Sequence, residues 1–304
     1  MKRKILAAGT LAFDTLETPH GKKEKIIGGS VNHFAITASL FTELEISAII
    51  GADFPKEHLT FLNKRGIGTG NVEISKGETF HWHARYQGAM NEAETLASHL
   101  NVLVDYNPVM NAAAKKCEIL FLANFDPVKQ LQTIKEAEGA KIVICDTMNF
   151  WIDRNVEELK KVLKQVDIFV LSEHEARNLA KENNIIVALH KIVAMGPKTV
   201  VIKRGEYGSL IYRDGEKIFC APAYPIKKVV DPTGAGDTFA GGFVGYLATS
   251  PDYNKFSELK KAMLYGSAAS SFIVEGFGCD GTINIGMKDI QGRYEELVSM
   301  MRID

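Results

Sequence analysis

An open, mostly parallel β-sheet with α-helices over both faces is the α/β architecture this sequence predicts, on three observations. Short β-branched and aliphatic runs alternate with longer segments of helical periodicity along most of the chain. Several of those runs are apolar almost throughout, as strands covered on both faces are. Hydrophobic residues make up 46% of the 304, enough to fill a large core on each side of such a sheet.

Strands are expected over residues 4–8, 46–51, 118–123, 141–145, 168–171 and 199–203, and helices over 32–41, 55–64, 128–138, 156–164 and 173–181. Pro127 suits the first turn of the third helix, and Asp153 is placed to cap the fourth, which contains Glu157. Two regions break the alternation. In 15–27 a Pro19-His20-Gly21 turn separates two short segments that suit a hairpin, and 72–106 carries strand-like runs at 79–86 and 100–106. These pieces make either a small sheet outside the main core or ordinary surface hairpins. Residues 208–212 and 217–220 flank Arg213-Asp214-Gly215 and predict an antiparallel hairpin. The tail from Phe256 is mainly helical, interrupted by glycines between Gly276 and Gly281.

Charge and cysteine usage exclude several classes. Lys and Arg number 36 against 37 Asp and Glu, a formal net charge of −1, so no broad attraction for nucleic acid or an anionic membrane is expected. Cys117, Cys145, Cys220 and Cys279 are scattered, with no C-x-x-C pair, and are expected to be buried thiols. Lys2, Arg3 and Lys4 before an apolar run imitate a signal peptide. Asp14 and Glu17 follow at once without a cleavage pattern, so a buried first strand is the better reading. No apolar stretch has the length of a bilayer span, and a cytoplasmic location is expected.

The stretch that carries chemistry is Asp231-Pro232-Thr233-Gly234-Ala235-Gly236-Asp237-Thr238-Phe239-Ala240-Gly241-Gly242-Phe243. Phe239, Phe243, Tyr246 and Leu247 recur at helical spacing, so a helix begins near Gly234. Its first amides lack internal partners and its dipole is positive at that end. With no side chains on Gly234 and Gly236, an anion can lie directly against the backbone. Asp237, in the first turn beside that pocket, is placed to take the proton of a hydroxyl attacking a phosphate.

This string resembles the C-terminal signature of the ribokinase-like (PfkB) carbohydrate kinase family, D-T-x-G-A-G-D-x-F, with Pro232 in its second position. Gly28-Gly29-Ser30-Val31-Asn32, opening a helix, resembles the family's N-terminal signature, and the two lie far apart in the expected order. The resemblance implies a three-layer α/β/α fold with a small β-sheet lid. The main domain would take residues 1–14, 28–71 and 107–304, and the lid 15–27 and 72–106.

By the same resemblance Asp237 is the catalytic base and the amides of Gly234, Ala235 and Gly236 form an anion hole. Asp14, Gly28, Gly29 and Asn32 match positions that meet the acceptor's hydroxyls. Glu175 keeps the acidic position of the family's N-x-x-E motif and is expected to orient water on Mg²⁺, although Ser172 stands in place of the asparagine. Residues 201–208 resemble the nucleotide-side strand and turn. Gly205 and Gly208 suit close approach, while Lys203 either reaches phosphates or faces solvent. Ser267, in Gly266-Ser267-Ala268-Ala269, is expected beside adenine, and the resemblance also implies K⁺ near Asp231.

In His81-Trp82-His83-Ala84-Arg85-Tyr86, alternation puts His81, His83 and Arg85 on one face. Two histidines at this spacing suit zinc, but no third ligand stands nearby, and a place in the sheet covering the acceptor is the stronger reading. The leading expectation is an ATP-dependent kinase, with Mg²⁺, acting on a hydroxymethyl group of a sugar. The alternatives are a nucleoside kinase of adenosine or inosine type, and a non-catalytic ligand sensor on the same fold. A homodimer through the lid is expected. Gly66-Ile67-Gly68-Thr69-Gly70 lacks the G-x-G-x-x-G spacing of dinucleotide sites, and no P-loop motif occurs.

Overall fold

The structure is a computed structural model that describes residues 2–303. In chain order its elements are β1 (Ile5–Ala8), β2 (Ala12–Thr18), β3 (Gly21–Gly28), α1 (Ser30–Ala38), β4 (Leu44–Ile50), α2 (Lys56–Lys64), β5 (Ile67–Ile74), β6 (His81–Tyr86) and β7 (Ala93–His99). They continue with β8 (Ile119–Leu122), α3 (Pro127–Glu136), β9 (Ile142–Cys145), α4 (Asn149–Arg154), α5 (Val156–Leu163), β10 (Ile168–Ser172), α6 (Glu173–Ala180), α7 (Ile185–Val193) and β11 (Thr199–Lys203). The last are β12 (Ser209–Arg213), β13 (Phe219–Ala221), α8 (Ala235–Thr249), α9 (Phe256–Ile273), α10 (Asp280–Ile283) and α11 (Met287–Met300).

Nine strands form the main sheet in the order β13-β12-β11-β10-β9-β8-β1-β4-β5. From β11 to β5 all pairs are parallel; β12 and β13 add an antiparallel edge. Successive residues of a strand face opposite sides, and both sides are filled here. Ile5, Ala7, Ile119 and Phe121 face a core closed by α1, α2, α8, α9 and α11, whereas Leu6, Ala8, Leu120 and Leu122 face a second core under α3 to α7. Phe34 of α1 stacks on Phe121 with ring centroids 4.0 Å apart. Burying each such ring contributes roughly 1.5–3 kcal/mol. The strand order reverses at β1, and the crevice outside the carboxyl ends of the strands at such a switch is where ligands bind in open α/β sheets.

The second sheet has four strands in the order β3-β2-β6-β7. Its first strand begins at Ala12, so Asp14 lies on the small sheet and not at the end of the main one, where the expected boundary put it. The strand expected at 100–106 is instead a 3₁₀ turn, Asn101–Asp105. Asn101 has φ 48°, and the segment turns inward to bury Val102 and to bring the Tyr106 hydroxyl within 2.7 Å of Ser47 Oγ. The strand itself is Ala93–His99, a mostly exposed edge whose polar face gives little periodic signal.

Asp153 does not cap α5. It lies inside the short helix α4 and accepts a hydrogen bond from Asn178 Nδ2, while Asn155 precedes α5. Pro127 is at the start of α3 as expected, after Asp126, whose carboxylate accepts from the Val128 amide.

Helix α8 is wedged between α1 and α9 at backbone contact. A Cβ on Gly241 would stand 2.6 Å from Phe34 O, and one on Gly242 2.7 Å from Tyr265 O. Gly242→Val should therefore lower stability by about 2 kcal/mol or more in urea titration. Gly292→Ala in α11, where a Cβ meets nothing within 4 Å, should raise stability by about 0.5–1 kcal/mol. Equal effects of the two would contradict this packing.

Candidate active site

The start of α8 is shaped by the turn before it. Gly234 takes φ 74°, and a Cβ there would lie 2.5 Å from the His33 ring, so glycine is required on both counts. The Ala235 amide, expected among the anion-hole donors, donates to Pro232 O at 3.1 Å. The amides of Gly234, Gly236 and Asp237 find no protein acceptor among the described residues. Three donors without acceptors thus lie at the positive end of a 15-residue helix.

Asp231 braces this turn. Its Oδ1 accepts from the Thr233 amide at 2.9 Å and its Oδ2 from the Gly278 amide at 3.0 Å, tying the turn to the segment before α10. The Thr233 hydroxyl donates to the Tyr86 hydroxyl at 3.2 Å, so the small sheet touches the same turn from above. Burial pushes the Tyr86 phenol well above its ordinary range and keeps it protonated.

Around the free amides stand four ionisable side chains. Asp237 is raised to about 8, first by burial and then by the charge of Asp146, with Lys203 acting in the opposite sense. Glu175 is raised by burial and by Asp146. Its carboxylate accepts from the Ser172 amide at 2.6 Å, and the Ser172 hydroxyl accepts from the Glu175 amide, a capping box that starts α6. Serine at 172 is thus accounted for by helix capping. Lys203 is paired with Asp146 at 2.6 Å, largely buried and not facing solvent.

The residues expected to meet the acceptor lie on β2 and the β3–α1 turn. Asp14 is 4% exposed and raised to about 7 by burial and by Asp231, while the Gly29 amide pulls it down. Its Oδ2 would be 1.8 Å from a Cβ on Gly28, and Gly29, at φ 96°, would put a Cβ 2.3 Å from Thr10 O. Asn32, expected at the acceptor's hydroxyls, is fully buried with both ends engaged. Its Oδ1 accepts from His58 Nε2 at 2.7 Å and its Nδ2 donates to Cys279 Sγ at 3.2 Å. The next residue, His33, lies against Gly234, and its Nε2 has no partner among the described residues. Burial lowers His33 to about 4, so the ring is neutral.

Besides Lys203, the residues expected on the nucleotide side are Gly205, Gly208 and Ser267. Gly208 has φ 80° and no room for a Cβ beside Ala221 O, whereas Gly205 faces Asn91 of the β6–β7 loop. Ser267 is buried in α9 and donates to Pro222 O at 2.7 Å. On the far side of the small sheet His83 and Arg85 share Glu17, and His81 pairs with Thr15. Among the described residues no group of three or more His, Cys, Asp or Glu side chains is arranged to hold a metal.

Sequence reasoning missed His33 and Asp146. The signal for Asp146 was present, since it follows the apolar run ending at Cys145, at the carboxyl edge of the sheet where sites form. His33 carried no such mark beyond its place after the paired glycines.

Between the ordinary carboxylate range and about 8 the folded protein holds a proton on Asp237 that the unfolded chain has released, so stability falls as pH rises through that window. Asp237→Asn should therefore have a higher thermal midpoint than the wild type near pH 8, with the gap closing towards about pH 4. An Asn variant no more stable near pH 8 would contradict the burial of this charge.

A profile of the pfkB family carbohydrate kinases matches residues 10–285. A cytidine kinase of Thermococcus kodakarensis is 30% identical over 265 residues, covering 81% of this chain and 90% of that protein. The structure superposes on the nucleoside kinase of Methanocaldococcus jannaschii with a TM-score of 0.76 at 22% identity, covering 97% of this chain and 98% of the other. A putative ribokinase II of E. coli, solved with ATP and Mg²⁺, gives 0.79 at 18% identity, with 97% and 99% covered. The three-layer fold with its small second sheet is therefore ribokinase-like, and the chain belongs to the pfkB family of carbohydrate and nucleoside kinases, phosphotransferases with an alcohol acceptor.

Proposed function

We propose that this kinase uses ATP to phosphorylate the hydroxymethyl oxygen of a nucleoside's ribose, with a free sugar as the alternative acceptor. The observation that carries the reading is the placement of Asp237 in the first turn of α8, beside three amides without acceptors. The acceptor oxygen would attack the γ-phosphorus, its proton passing to the Asp237 carboxylate as the bond to ADP breaks. The amides of Gly234, Gly236 and Asp237 would receive charge on the phosphoryl oxygens.

Asp14, with the paired glycines drawing the chain close beneath it, suits two neighbouring ribose hydroxyls. Sequence alone leaned towards a sugar. The relatives named cytidine kinase and nucleoside kinase, matched over most of their length, move the preference to a nucleoside. The small sheet, seated on Thr233 through Tyr86, would act as a lid that keeps water from the γ-phosphate.

Mg²⁺ would arrive on the nucleotide phosphates, where it neutralises their charge. Three carboxyl groups around one ammonium suit a further cation, held through its waters by Glu175. Gly205, Gly208 and Ser267 would line the nucleotide's path. Both Asp231 oxygens already brace the turn, and adding K⁺ to the assay reads whether a monovalent cation also acts there. The family match favours a kinase over the sensor alternative, and binding without turnover would favour the sensor.

The test is ADP formation with Mg-ATP and K⁺ across purine nucleosides, pyrimidine nucleosides and sugars. We expect nucleoside-dependent turnover that falls by about 10²–10⁴-fold in Asp237→Asn. Turnover with sugars alone would overturn the nucleoside assignment, and near-normal turnover in a folded Asp237→Asn protein would overturn the base.

A further inference from the structure

Asp146 lies outside the motifs that carry the family resemblance, yet its backbone and its carboxylate are both held in place. Its amide donates to Leu122 O at 2.8 Å and its carbonyl accepts from Gln130 Nε2 at 3.1 Å. One carboxylate oxygen accepts from the Thr147 amide at 2.8 Å, which orients the group. The other oxygen receives Lys203 Nζ at 2.6 Å, with the two side chains 4% and 17% exposed. Lys203 ends β11, in register with Ser172 on β10 and Ser209 on β12, so its backbone is fixed as well. The pinned ammonium lies over the start of α8, where a Cβ on Gly236 would be only 2.9 Å from Nζ.

Resting on the kinase reading above, we propose that Asp146 is a positioning residue for phosphoryl transfer. It holds the Lys203 ammonium over the free amides of Gly236 and Asp237, so that the cation and the amides meet the transferred phosphoryl group together. A lysine side chain is a flexible stem ending in a point charge, and unpinned it samples many rotamers. The anion hole gains from a cation that is already in place before charge develops. Buried ion pairs add little net stability in general, and here the pair sets where the ammonium sits. Asp146 touches no reacting atom in this scheme and acts through Lys203.

A double-mutant cycle separates this role from a purely structural one. Wild type, Asp146→Asn, Lys203→Met and the double variant are compared for kcat, both KM values and thermal midpoint. We expect Asp146→Asn to lower kcat by about 10- to 100-fold, with the acceptor KM changed less than about twofold. In the Lys203→Met background the same change should alter kcat less than about twofold. Equal losses in both backgrounds would overturn the proposal, because Asp146 would then act independently of Lys203. Should Asp146→Asn fail to fold, Asp146→Glu keeps the charge and moves the carboxylate by one methylene. A native midpoint with kcat reduced at least about tenfold supports positioning, and wild-type kcat overturns it. Wild-type protein without turnover on any acceptor overturns the kinase reading, and this proposal with it; wild-type turnover with an additive cycle overturns this proposal alone.

Discussion

Backbone amides left without acceptors at the start of a helix are a standing site for something negative, and the half-buried α8 start carries three. Much of the structure serves to keep them that way. Gly234 and Gly236 remove the side chains that would cover them, and Asp231 locks the preceding turn to the Gly278 amide. The glycines further along α8 let the helix press against Phe34 O and Tyr265 O, so its axis is held by backbone contact on two sides. A helix fixed this firmly holds its dipole and donors in one orientation before any ligand arrives, as electrostatic preorganisation requires.

The charges nearby follow from the sheet. Parallel strands deliver their carboxyl ends to one edge, and Asp146, Ser172 with Glu175, and Lys203 come from the ends of three neighbouring strands. Crowding carboxylates into a poorly solvated cleft raises Asp237 to about 8 and Asp14 to about 7. Both groups thus ionise at a cost to the fold, a strain of the kind that functional sites carry. A bound cation would relieve it by supplying the positive charge that Lys203 provides only in part.

What the sequence disclosed was local. Residues 199–203 and the string from Asp231 to Phe239 were legible because their signals, an apolar run and a glycine-rich helix start, lie within a few neighbouring residues. What stayed hidden depends on distant partners. Asn32 is engaged by His58, 26 residues on, and by Cys279, 247 residues on, and no local pattern could show those two bonds. The Lys203–Asp146 pair spans 57 residues, which is why strand-end exposure and phosphate contact were equally open for that lysine. In the small sheet, Ala93–His99 is a solvated edge without alternation, and the more apolar stretch after it turns inward. Hydrophobic pattern followed burial there, and the strand lay elsewhere.

In the proposed reaction the free amides at the start of α8 receive the transferred phosphoryl group next to Asp237. A crystal structure of the protein with Mg²⁺, ADP, aluminium fluoride and a bound nucleoside tests it most directly, since the fluoride mimics the group in flight. The account predicts fluorides about 3 Å from the amides of Gly234, Gly236 and Asp237, with the acceptor oxygen at hydrogen-bonding distance from the Asp237 carboxylate. Aluminium fluoride held away from these amides, or an acceptor oxygen out of reach of Asp237, would contradict it.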